Sequence, residues 1–190
     1  MSRRSPALLA LLLAAGGCTA SRLDTPQPTF SGLQAVRAAD IPALTVDRFA
    51  AGPGLPRGRD RAILIRAAAL RPPQGTSFAD YLGETLRAAL ASAGRLEPAS
   101  ALGVSGLLTE NRVDSGFGRG RGVLAAEFIV TRGGREIWRK TQRVERDWDS
   151  SVLGAVAYIR ADQHYGALYQ MLVEALLADP DFRRAVRPAA

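Results

Sequence analysis

The chain has 190 residues, with 25 Lys+Arg against 18 Asp+Glu, one histidine, one cysteine and a formal net charge of +7. A single cysteine excludes an internal disulfide and a thiolate metal cluster, so the core stands on packing alone. Lys140 is the only lysine; the positive charge is therefore nearly all arginine, whose planar fork grips phosphate and carboxylate bidentately.

Arg3 and Arg4 precede a short apolar run, Pro6 to Ala15, and then Gly16-Gly17-Cys18. A basic end, a brief hydrophobic stretch and small residues before a cut are the parts of a secretory signal. The run is far shorter than the ~20 residues that cross a bilayer as a helix. A cut directly before a cysteine resembles the bacterial lipobox. That resemblance implies a signal over residues 1–17, cleavage between Gly17 and Cys18, and a diacylglycerol on the Cys18 sulfur. Acyl chains on Cys18 would hold the protein on a membrane. With Thr19 rather than an acidic residue next to the cysteine, the same resemblance implies the outer membrane, with the domain facing the periplasm.

Residues 18–42 read as the lipidated N-terminus and a flexible tether, stiffened by Pro26 and Pro28. Residues 43–190 read as a single periplasmic domain. Ile41 to Phe49 predicts an edge strand, followed by a loop rich in glycine and proline. The apolar run Arg61 to Arg66 predicts a buried strand that stops before Pro72 and Pro73. Ser77, with Asp80 three residues on, is a helix-start signal. Phe78, Leu82, Leu86 and Ala89 then recur at helical spacing up to Gly94. Leu102 to Asp114 predicts a strand, Ser115 to Gly122 a flexible loop, and Gly122 to Thr131 a strand burying Leu124, Ala126, Phe128 and Val130. Gly133-Gly134 is a hairpin turn, returning through Arg135 to Trp148. A plain two-residue turn sets Glu127 opposite Lys140; whether a bulge shifts this register is left open. Tyr165, Leu168, Leu172 and Leu176 continue a stripe from Ala161 along a second long helix, which Asp179-Pro180 ends before one last turn. The expected fold is α+β, a mostly antiparallel four-stranded sheet with two long helices on one face, in the order β-α-β-β-β-α.

Catalytic chemistry finds little support. His164 falls in mid-helix beside Tyr165, a poor place for a triad base, and no histidine or carboxylate cluster has metal spacing. Asp147 and Asp149 flank Trp148 without a second pair to suggest glycosidase work. The glycines of Gly116 to Gly122 do not link a strand to a helix, so nucleotide binding is not indicated. Their resemblance to an RNA-binding arginine–glycine run is discounted by the periplasmic address. We therefore expect no enzyme activity, cofactor, metal or nucleic-acid partner. Arg119, Arg121, Arg132, Arg135 and Arg139 are the candidates for meeting phospholipid or lipopolysaccharide phosphates. Trp138 and Trp148 read as packing residues, or as a protein-docking patch if both lie on the outer face of the sheet.

The chain resembles two groups of small Gram-negative envelope lipoproteins. They are the ABC-type transport auxiliary lipoproteins of phospholipid trafficking and the lipopolysaccharide-assembly and YajG-like lipoproteins. The resemblance lies in Cys18, the strand Ala62 to Ile65, and the helix from Tyr81-Leu82 to Ala93-Gly94. It continues in the Gly133-Gly134 hairpin and the closing segment Leu177 to Phe182. It implies no catalytic residues. It implies an accessory role, holding or linking parts of an envelope complex, with a protein partner beside the membrane.

Overall fold

The computed structural model describes residues 20–65, 68–115, 118–150 and 154–187. The expected signal, Gly17 and Cys18 lie outside the described residues. The described residues are α+β and form two sheets. The first has the order β2-β5-β6-β7, built from Thr45–Ala51, Leu102–Ser115, Gly118–Arg132 and Arg135–Ser150. The second has the order β1-β4-β3, built from Ala20–Arg22, Ala68–Arg71 and Ile63–Ile65. The helices are α1 (Phe30–Ala39), α2 (Phe78–Ser92), α3 (Gly154–Ala178) and α4 (Pro180–Val186).

The antiparallel sheet expected from the sequence needs correction in two places. β2 pairs with β5 in parallel, because the chain between them crosses back through α2 before β5 begins. The apolar run at 61–66 does not join the large sheet. Its strand β3 pairs antiparallel with β4, Ile63 facing Leu70 and Ile65 facing Ala68, and β1 adds to β4 in parallel. The tether expected over 18–42 is also corrected. β1 begins at Ala20, and α1 follows, packed against α3 and α2. Thr29 caps α1 by accepting from the Gly32 N–H at 3.0 Å, and Val36 and Ala39 bury its inner side.

The two long helices pack on one face of the large sheet as expected. α2 starts at Ser77, whose side chain accepts from the Asp80 N–H while Asp80 accepts from the Ser77 N–H, a reciprocal capping box. Phe49 from β2 meets Phe128 from β6 edge to face, ring centres 6.0 Å apart. Tyr165, Leu168, Leu172 and Leu176 of α3 are fully buried. A buried polar thread runs through this core: Tyr165 Oη donates to Asn111 Oδ1 at 2.7 Å, and Asn111 Nδ2 donates to the Arg59 carbonyl at 2.8 Å.

Candidate functional site

β6 and β7 carry most of the residues singled out from the sequence, and the register of this pair decides what each can do. Val130 pairs with Trp138, whereas Thr131 pairs with Glu136, so Ile137 is the extra residue of a bulge. The bulge moves β7 by one place relative to a plain hairpin. Glu127 therefore faces Thr141, and Lys140 turns to the helix side. There Lys140 meets Asp179 at 2.7 Å and Asp181 at 3.2 Å. Burial alone would raise the Asp179 carboxyl, but bonds from Lys140, the Phe182 N–H, Gln142 and the Asp181 N–H outweigh it and hold the group down at about 2.

The side of the large sheet away from the helices carries alternating charge. Arg143 meets Glu110 at 3.1 Å and Glu145 at 3.1 Å. Arg121 pairs with Glu145 and reaches Asp147 at 4.0 Å, and Arg139 pairs with Glu127 and, at 2.7 Å, with Glu136. The hydrogen bond from Arg121 lowers the Glu145 carboxyl, and the bond from Arg139 lowers Glu136. Val123 and Ala125 lie on this same face and are buried nonetheless, at 1% and 4% exposure. Glu110 and Arg143 sit on either side of Ala125 in register, and Arg112 and Glu145 on either side of Val123. The long charged side chains roof over the two small apolar ones.

The five candidate arginines do not converge. Arg119 and Arg121 lie near the start of β6, and Arg132 ends it, about 35 Å away at strand rise. Arg132 donates to the carbonyls of Ala185 and Arg187, at 3.1 and 2.7 Å, and so ties down the end of α4. Arg119 and Arg135 are exposed. Two arginines that sequence reasoning passed over, Arg59 and Arg112, join Arg121 in lining an open cleft of about 520 Å³, together with Asp114, Val113 and Val123. No spacing links Arg59 in its loop to the strand arginines, so the cleft has no sequence signature.

Both tryptophans lie on the helix side, which removes the outer-face docking patch. Trp138 packs edge to face on Phe182, ring centres 5.6 Å apart. Trp148 is buried and stacks on His164 at 5.2 Å, its indole N–H having no acceptor among the described residues. The arginine–glycine run expected to be a flexible loop is strand from Gly118 onward. A Cβ on Gly120 would collide with the Trp148 indole, and one on Gly122 would come within 2.5 Å of Leu168. These glycines make room for a ring rather than for motion. Among the described residues no group of His, Cys, Asp and Glu could hold a metal, and no helix is long and apolar enough to cross a membrane.

No family model and no curated protein matches this chain. Among solved structures it is similar to a Xanthomonas campestris protein of the family DUF330, at 15% identity and a TM-score of 0.52, over 84% of this chain and 95% of that one. It also matches a Caulobacter crescentus CB15 protein described as a candidate lipoprotein, at 18% identity and a TM-score of 0.46, over 84% and 97% of the two chains. A third match is a minor lipoprotein from Acinetobacter baumannii, at 15% identity and a TM-score of 0.39, over 76% and 89%. The first of these comparisons shows a shared fold.

Proposed function

We propose that this protein is a lipid-anchored, non-enzymatic lipoprotein of the bacterial envelope, on the periplasmic face of the outer membrane. There it acts as an accessory, docking subunit of a complex that moves phospholipid or lipopolysaccharide. The observation that carries this reading is the position of the lipobox cysteine, two residues ahead of the first strand of a folded domain. β7, 16 residues long and at the edge of its sheet, is the surface offered to a protein partner. Crosslinking in intact cells, followed by mass spectrometry of wild type beside Cys18→Ala, tests it. Wild type should yield an acylated Cys18 peptide and a specific envelope protein, and Cys18→Ala should be soluble and lose both. An unmodified Cys18 in the mature protein would sink the proposal.

A second reading, direct binding of lipid phosphates, would use the cleft that Arg59, Arg112 and Arg121 share, where a phosphate has to displace Glu110 from Arg112 and Glu145 from Arg121. The two readings separate by ionic strength. Phosphate binding weakens steeply as salt rises, and an edge-strand dock held by main-chain hydrogen bonds does not.

A further inference from the structure

Cys18 stands two residues before Ala20 in the sequence. Two peptide steps span at most about 7.6 Å between Cα atoms. Ala20 is no part of a loose tether, for it opens β1, which is laid in parallel against β4. The Leu23 N–H then donates to the Arg71 carbonyl at 2.9 Å, and the Leu23 side chain is buried. Whatever holds Cys18 therefore holds the small sheet within a few ångströms of itself.

The small sheet is closed on one face only. Ile63, Ile65 and Leu70 point into the core at 1%, 1% and 0% exposure, whereas Leu64, between two of them, points out at 64%. Leu64 pairs with Ala69, and Ala69 with Ala20. This bare leucine therefore lies two strand spacings, about 10 Å, from the residue next but one to the anchor. On the same outward face Arg22 stands directly opposite Arg71. Both are exposed, and neither has a carboxylate partner among the described residues; Arg22 donates only to the Pro72 carbonyl. Like charges set opposite each other on neighbouring strands repel, and an anion between them relieves that.

We infer that the outward face of the small sheet is the surface this domain lays on the bilayer that anchors it. Leu64 enters the headgroup region, and Arg22 with Arg71 meets lipid phosphates. The inference rests on the lipidation of Cys18 proposed above. An isolated exposed leucine needs no explanation by itself. Its place in the row that ends at Ala20, two residues from the anchor, beside two arginines without carboxylates, gives it one: an apolar contact next to paired cations suits an anionic lipid surface. The domain then lies against the membrane, and a partner must approach it there.

The test uses the mature lipidated protein in phosphatidylethanolamine–phosphatidylglycerol vesicles. Acylation blocks the thiol of Cys18, so Leu64→Cys offers a unique site for an environment-sensitive fluorophore, and Thr141→Cys offers a control site on the large sheet. Position 64 should show a blue-shifted emission and strong quenching by spin-labelled lipid, and position 141 neither. Adding Arg22→Gln and Arg71→Gln should lower the quenching at 64 while the acyl mass is unchanged. Equal behaviour at 64 and 141 in protein that carries the acyl mass overturns this inference alone. Shielding of 64 that appears in cells but not in vesicles assigns the face to a protein and also overturns it. An unacylated Cys18 overturns this inference together with the reading beneath it.

Discussion

The large sheet and the small sheet treat arginine in opposite ways. On the outer face of the large sheet Arg121, Arg139 and Arg143 are each held by carboxylates, and Arg143 with Glu110, and Arg112 with Glu145, flank the buried Ala125 and Val123. On the outward face of the small sheet Arg22 and Arg71 oppose each other without a carboxylate, beside a bare Leu64. The three arginines of the large sheet are satisfied within their own surface, and a phosphate reaching them would have to displace a glutamate. The small sheet leaves its charges to be satisfied from outside. A count of arginines thus says little about where an anion binds; what matters is which guanidinium groups already have partners.

If the large sheet is closed on both sides, its two sides should both be sensitive to truncation. The largest effect belongs to Trp148→Ala on the helix side, which empties a slot framed by Gly120, Gly122 and His164. The loss expected in urea denaturation is about 3–5 kcal/mol. A loss near zero would mean that the ring does not close this face. A smaller effect sharpens the contrast between the sheets. Val123→Ala, beneath the charged roof, should cost about 1–2 kcal/mol, and Leu64→Ala less than about 0.5, although leucine is the larger residue. Equal losses at the two positions would break the distinction between a covered face and an open one.

What the sequence disclosed follows from how local each signal is. Ser77, Asp80, Phe78, Leu82, Leu86 and Gly94 lie within 18 residues, and α2 with its capping box was legible from them. The stripe through Tyr165, Leu168, Leu172 and Leu176 was legible for the same reason. The parallel pairing of β2 was not, because it depends on where α2 returns the chain rather than on β2 itself. β1 is three residues long and is defined only by β4. α1 was hidden behind Pro26 and Pro28, and its burial depends on α3 and α2. The run from Gly118 to Gly122 looked flexible because its need for glycine comes from Trp148 on the next strand. The arginines were visible, but their partners were not. The bulge at Ile137 gives Glu127 to Arg139 and sends Lys140 to Asp179.

The smallest effect is the most discriminating, because its sign differs between the sheets. Arg143→Gln removes a cation that two glutamates share. It should lower stability slightly in dilute buffer and by less at high salt, since the pair is exposed and screened. Arg71→Gln removes one of two opposed cations. It should raise the stability of the protein free of lipid by a few tenths of a kcal/mol, and salt should shrink that gain too, because screening already weakens the repulsion in the parent. Paired urea titrations at low and high salt read both signs. If both substitutions destabilise, the fold itself satisfies the Arg22–Arg71 row, no anion is needed there, and the two sheets treat arginine alike.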